Sequence, residues 1–263
     1  MSDRPPLSPK EPGKRNIRPI LCIAGLVIVL LTAAAAAVSG LGPRAGLWPF
    51  RFGFKILQAA AIGAAGGALL SFIGLVWPQR GGERHFSIAA IVGLVLGGAV
   101  VGYPVYLIHL ARSVPPIHDI TTDTRDPPAF MEIAELRADA ENSMVYPGGE
   151  IAAMQRKAYP DIKPARFNAP PDKVFDVALA TARAMGWTIV AAVPADGRIE
   201  ATDTTFWYHF TDDIAIRIRA EGQGTRVDLR SESRVGRSDL GTNARRIRRY
   251  LAALDQQMAA SGG

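Results

Sequence analysis

Three long stretches without Asp, Glu, Lys or Arg decide what kind of chain this is. Residues 20–38 carry no charge over 19 positions, and residues 56–77 have Gln58 as their only strongly polar group over 22. Residues 87–110 run for 24 positions with His109 near the end. At about 1.5 Å of helix per residue, each is long enough to cross roughly 30 Å of hydrocarbon. Trp48, Trp77, Tyr103 and Tyr106 lie near the ends of these runs, where amphipathic rings favour the headgroup region. The expectation is a three-helix transmembrane region over 20–112, with spans at 20–38, 56–77 and 87–110. The first run has a rival reading, because a basic tail, an apolar core and AAAAAVSG resemble a cleaved secretory signal. Its length and the length of its tail favour a retained span.

The charge divides with the hydropathy. Residues 1–112 hold 11 Lys/Arg and 3 Asp/Glu, whereas residues 113–263 hold 19 and 21. The net +6 therefore comes from the membrane flanks. The second half lacks the concentrated positive field that phosphate binding needs, so no nucleic-acid partner is expected. The single cysteine, Cys22, follows the bulky Leu21 and reads as a lipid-facing side chain rather than a lipidation site. Arg4, Lys10, Lys14, Arg15, Arg18, Arg80 and Arg84 fall on one side of the membrane. Arg44, Arg51, Lys55 and Arg112 fall on the other. The larger set marks the cytoplasmic side. That predicts a cytoplasmic basic tail (1–19), integration in the cytoplasmic (inner) membrane, and a periplasmic or otherwise extracytoplasmic C-terminal domain.

Within the spans, Gly63 and Gly67, Gly93 and Gly97, and Gly98 and Gly102 are spaced four apart. Such spacing lets helix backbones approach closely, first of all between runs two and three. These two runs contain no Asp, Glu, Lys or Arg, which disfavours transport.

Residues 113–164 read as a Pro-rich linker and irregular segment, with proline pairs at 115/116 and 127/128 opposing regular helix. The chain here either runs over the folded domain or links it to the membrane, and 129–164 reads as short helical pieces and loops. Residues 165–258 read as an α+β domain. Val174, Ala178, Ala182 and Met185 mark one face of a helix that Gly186 ends. Strands follow at 187–193, with Trp187, Ile189, Ala191 and Val193 on one face, then at 198–206, 212–220 and 226–235. A last amphipathic helix carries Leu240, Ala244, Ile247, Leu251 and Leu254, with Arg245, Arg246, Arg248 and Arg249 on a solvated face. The expected fold is an antiparallel sheet of four to five strands with helices on one face, helix-grip-like, and a charged outer face bearing Arg226, Asp228, Arg230, Glu232 and Arg234.

The block VDLRSESRVGRSDLGTNARRIRRYLAAL (227–254), together with TTFWYHFTDDIAIRIRA, YPDIKPARF and the upstream IHDITTDTRDPPAF, resembles the family known as domain of unknown function 1499. The resemblance covers residues 115–255, and RSESRVGRSDLGTN is its most specific part because strand or helix propensity does not account for it. It implies an envelope-facing domain, lipoprotein-anchored in some bacterial members and attached to membrane spans in others. It implies no activity and no catalytic residue.

Two stretches supply candidate ligand-binding residues. TTFWYHFTDD brings Trp207, His209, Asp212 and Asp213, and reads first as an aromatic corner of the core and second as a pocket rim. SRVGRSDLGTN brings Arg234, Arg237, Asp239 and Asn243, with Ser238 or Asp239 expected to cap the last helix and the arginines able to hold an anion. HDITTD reads as a turn, with Asp119 or Thr121 bonding nearby backbone. His118, Asp119, His209 and Asp213 are chemically suited to zinc or manganese but lack a closely spaced ligand motif, so no metal and no cofactor is assigned. The leading expectation is a non-enzymatic envelope interaction or assembly module, whose partners are the lipid bilayer and an envelope protein. The alternative is a tethered domain that binds a lipid or another hydrophobic ligand, and the remote one is a metal-dependent hydrolase. An apolar cavity beneath Trp207 would favour ligand binding, a solid core the interaction module, and convergent His118, His209 and Asp213 the enzyme.

Overall fold

A computed structural model describes residues 16–78, 84–138 and 140–262. Arg4, Lys10, Lys14, Arg15 and Arg80, used above to orient the chain, lie outside the described residues. The chain divides into two compact units, one of residues 1–42 and 46–105 and one of 43–45 and 106–263.

Three helices, α1 (Arg18–Arg44), α2 (Phe50–Val76) and α3 (Arg84–Ser113), are long and apolar enough to cross a membrane. Their packing rests on missing side chains. A Cβ on Gly67 would stand 2.9 Å from the Gly25 carbonyl, and one on Gly97 would stand 3.1 Å from the Ala64 carbonyl. Gly93 faces Ser71 and Gly63 faces Thr32, while Gly98 and Gly102 have nothing within 4 Å. Arg18 is buried and donates to the Gly74 carbonyl at 3.1 Å and to Ser87 Oγ at 2.6 Å, which gives a C-terminal carbonyl of α2 a cationic partner.

The second unit is an α+β domain. Its elements are β1 (Asp119–Thr121), α4 (Gly149–Ala158), β2 (Ala165–Phe167), α5 (Pro171–Ala184), β3 (Thr188–Val193), β4 (Arg198–Thr204), β5 (Thr211–Glu221), β6 (Gly224–Ser233) and α6 (Thr242–Ala260). Among the described residues the sheet has six strands, all antiparallel, in the order β1-β6-β5-β4-β3, with β2 also pairing β6. This exceeds the four or five expected, because two three-residue segments are too short to show a periodicity. One of them lies in HDITTD: Asp119–Thr121 is an edge strand, and the expected local bond survives at its end, where Thr121 Oγ1 accepts the Asp123 N–H at 3.2 Å. Its outer backbone is covered, since Gln155 of α4 donates to the Thr121 carbonyl at 2.6 Å and accepts its N–H at 3.1 Å. That covers an edge otherwise open to another strand.

Helices α5 and α6 cover one face. Pro171 opens α5, where its missing N–H costs nothing. Val174, Phe175, Ala178 and Ala182 then face α6 and the sheet residues Ile199, Ile214, Ile216, Val227 and Leu229. Tyr250 of α6 stacks on Trp187 at 5.0 Å between ring centres and donates to the Ala178 carbonyl at 2.9 Å. The expected alternation in β3 fails at a bulge between Ile189 and Ala191. After it, Ala191 pairs with Glu200 and Val193 with Arg198, while Val190 packs beside Phe130, Ile133 and Ala215. One inserted residue moves the rest of the strand to the other face.

The charged outer face is present, and it is covered by the segment that precedes the domain. Residues 122–138 and 140–147 run across it as a strap that includes the 3₁₀ helix Glu132–Leu136, and Asp213, Asp228 and Glu232 beneath are 0% exposed. Arg246, expected on a solvated helix face, is also buried. The reason in both cases is that the charges pair with each other.

Gly197 closes the turn between β3 and β4 with a φ of +59°, and its carbonyl accepts the Ile218 N–H at 2.7 Å. A Cβ there would collide with the Ile218 carbonyl, whereas Gly222, at φ +63°, has nothing within 4 Å. Gly222→Ala is expected to cost about 1 kcal/mol from backbone strain alone, and Gly197→Ala at least about 2 kcal/mol more. Thermal melts of the detergent-solubilised chain measure the difference, and equal losses would contradict the close approach.

Candidate functional site

Strand register gathers the chemically capable side chains at one end of the sheet. Asp119, Glu232 and Asp213 occupy a single cross-strand row, because Asp119 pairs with Glu232 and Glu232 with Asp213. Three neighbouring carboxylates repel one another, and burial makes their ionisation costlier. Three arginines answer them. Arg230 grips Asp119 through two parallel bonds of 3.0 and 2.8 Å, and Arg234 meets Asp213 at 2.8–3.1 Å. Arg137, from the strap, bridges Asp213 and Glu232, the latter at 2.9 Å. Arg230 also lies 4.6 Å over the Phe130 ring and donates to the Met144 carbonyl, and Arg234 donates to the Leu136 carbonyl. Strap and sheet are thus stitched by the same guanidinium groups.

Farther along, Glu200 of β4 is 0% exposed, and its carboxylate accepts the N–H groups of Met131, Glu132 and Ile133 at 2.9–3.3 Å. Those are the free donors at the start of the 3₁₀ helix, where negative charge is favoured. Arg198 joins Glu200 to Glu132. Below it, Arg217 and Arg226 join Asp228 of the sheet to Asp123 and Asp126 of the strap.

Burial drives the Glu232 carboxyl up to about 7, with the Asp119 charge adding to the rise and Arg137 and Arg230 opposing it. Burial likewise raises Asp119 against the pull of Arg230. At the rim, Arg198 draws the Glu132 carboxyl down to about 2.

The helix-covered face carries a second cluster. Arg246 donates to Asp203 at 2.9 Å, Asp212 at 2.6 Å and Ser231 Oγ at 3.0 Å, and also to Asn243 Oδ1. Asn243 donates to the His118 carbonyl at 2.8 Å and to Ser233 Oγ at 3.0 Å. Asp239 caps α6 by accepting the N–H of Asn243 at 2.6 Å and of Gly241 at 2.8 Å. Burial raises the carboxyls of both Asp212 and Asp239.

The sequence-selected residues therefore do not form one site. Asp212 and Asn243 belong to the cluster under α6, and Asp213 and Arg234 to the one under the strap, on opposite faces of the sheet. Trp207 and His209 are in a loop, since TTFWYHFTDD leaves the sheet after Thr204 and rejoins it at Thr211. Tyr208 and His209 both have left-handed backbones, with φ of +68° and +56°. Thr205 fastens the loop, donating its N–H to the Phe210 carbonyl at 2.8 Å and accepting the Phe210 N–H on its hydroxyl at 2.9 Å. Tyr208 is buried and stacked on Phe210 at 5.7 Å, while Phe206 is 70% exposed. Arg237 and His118 line a half-open cleft of about 200 Å³ with Asp119 and Ile151. His118, His209 and Asp213 do not converge, and no group of three or more His, Cys, Asp or Glu suited to a metal occurs among the described residues.

Arg137 and Glu200 escaped the reading of the sequence, which also placed Arg246 on a solvated face. For Glu200 a signal exists: a lone acid between Ile199 and Ala201 in an interior strand needs a buried partner. Arg137 lies in a segment without periodicity and gives none.

Residues 119–254 match the model of a family described as "Protein of unknown function (DUF1499)". Among curated proteins, none matches the chain.

Glu232 binds its proton more tightly folded than unfolded, so stability is expected to fall as pH rises from about 4.5 through about 7, by on the order of 3 kcal/mol. Glu132 acts in the opposite sense: its contribution is present above 4.5 and lost as pH falls toward about 2. Melting of the chain across pH 4–9 should show this decline between about 4.5 and 7 and level off above it, and Glu232→Gln should flatten it. An unchanged slope in E232Q would contradict the assignment. Arg137→Met should cost about 3–5 kcal/mol, as expected when a buried ion pair loses one partner.

Proposed function

The chain belongs to the DUF1499 family, and from that premise we propose that it is an integral protein of the cytoplasmic membrane whose α+β domain is a non-enzymatic interaction or assembly module of the cell envelope. The domain stands on the extracytoplasmic side in this reading, as the Lys/Arg distribution favours. The observation that carries the reading is where the reactive groups point. The buried carboxylates and guanidiniums engage one another in two internal clusters, so the polar chemistry supports a rigid frame. The strap held on that frame turns Met131, Leu136 and Val145 outward, each more than half exposed. Exposed apolar side chains on a fixed scaffold suit an envelope protein partner.

A lipid-binding reading has less support. The space between the sheet and α5 and α6 is filled by the Trp187–Tyr250 stack and its neighbours. A half-open groove of about 610 Å³ lies instead at the far end, beside Pro171, Phe175, Pro194 and Ile218, with Asp172, Asp176 and Arg219 on its rim.

Cys22, expected to face lipid, is instead buried against Gly74 of α2, and as the only cysteine it makes single-site labelling straightforward. Val145→Cys in a Cys22→Ala background should react with a membrane-impermeant maleimide on intact cells. Protection until the cells are opened would reverse the orientation. A photo-crosslinking residue at Leu136 or Val145 should capture the same protein in repeated experiments. Adducts with lipid alone would remove the protein-interaction reading.

A further inference from the structure

The aromatic loop and the chain entry lie at the same end of the domain. The His118 carbonyl accepts the Ser233 N–H at 3.0 Å, Asp212 pairs with Ser233, and Asp203 with Asp212. One row of the sheet thus links the entry, the end of β6, the start of β5 and the end of β4, and residues 205–210 extend beyond it. Ser113 ends α3 and Asp119 begins β1, so the connection reaches about 20 Å at full extension. The loop stands two to three strand spacings from that entry, about 10–15 Å to the side. A connection of that length leaves this end of the domain within reach of the surface from which α3 emerges.

Its composition matches that surface. Phe206 is 70% exposed, and Trp207 is partly exposed beside it. Arg44, in the same compact unit, lies 4.6 Å over the Phe206 ring and donates to its carbonyl at 3.2 Å. Arg237 is exposed in the neighbouring segment, and Arg245 donates to the Leu240 carbonyl and Thr242 Oγ1. Left-handed backbone at two successive non-glycine residues is costly, at roughly 1–2 kcal/mol each. Here it turns Tyr208 inward and leaves Phe206 outward. Aromatic rings bracketed by cations suit the bilayer interface, where rings sit at headgroup depth and arginines meet anionic lipid.

We infer that residues 205–210, with Arg44, Arg237 and Arg245 around them, form a foot that seats the domain in the headgroup layer of an anionic bilayer. The foot is separate from the strap, so a failure here leaves the partner-binding proposal standing, and the reverse also holds. The test uses the full chain, Cys22→Ala, reconstituted in vesicles containing phosphatidylglycerol. An environment-sensitive fluorophore is placed on Phe206→Cys or on Val145→Cys as reference. Both sites are exposed, and matching melting temperatures check that the fold is kept. The 206 label should be blue-shifted and quenched by lipid brominated near the headgroup, and the 145 label should not. Purely phosphatidylcholine vesicles should weaken that quenching. A 206 label as unquenched as the 145 label would overturn the foot. Equal quenching in both vesicle types would overturn its preference for anionic lipid.

Discussion

Three carboxylates in one buried row are the constraint around which the domain is organised. Asp119, Glu232 and Asp213 come from three strands and face the same side, so the pairing of β1, β6 and β5 is possible only if cations arrive with it. Two arginines come from β6 and its extension, but Arg137 comes from the strap. The sheet therefore cannot be electrically complete until the strap lies across it. Glu200 repeats the logic in reverse, since a buried strand carboxylate satisfies the N–H groups that begin the strap's 3₁₀ helix. Such pairs are weak evidence for net stability, because desolvation offsets much of the attraction. Their value is in register: a one-residue slip of β6 would turn the whole set of charges into the apolar core.

This organisation explains which parts of the fold were legible in advance. The spans were read from length and absence of charge. Helix α5 and strands β4 to β6 were read from periodicity, because each has one face against the core. The strap was not legible, since segments fixed by ion pairs and backbone hydrogen bonds carry no hydrophobic period. Short β1 and β2 were missed for the same reason. The alternation of Arg226, Asp228, Arg230, Glu232 and Arg234 was read correctly as an outward, charged face, and whether the linker covers it stayed open, because alternating charge looks the same whether water or a strap lies over it. The likeness to DUF1499 seen in RSESRVGRSDLGTN agrees with the family match over 119–254. The structure gives that run a physical meaning: Arg230, Glu232 and Arg234 lock the strap, Ser231, Ser233 and Asn243 support Arg246, and Asp239 caps α6.

For function, the consequence is a division of labour. In the reading proposed above, the buried charges hold the frame, and the strap's outward apolar side chains and the aromatic loop near the chain entry are the surfaces offered to partners. A domain locked in this way presents those surfaces in fixed positions, which lowers the entropy lost on association.

Backbone hydrogen exchange at Met131, Glu132 and Ile133 tests the ion-locked strap most directly. If Glu200 and Arg137 hold the strap as described, these amides exchange as slowly as those of β5 in the detergent-solubilised chain, and Glu200→Gln accelerates them while β5 stays protected. Exchange of the three amides at the rate of a free loop in the unmodified chain would contradict the account.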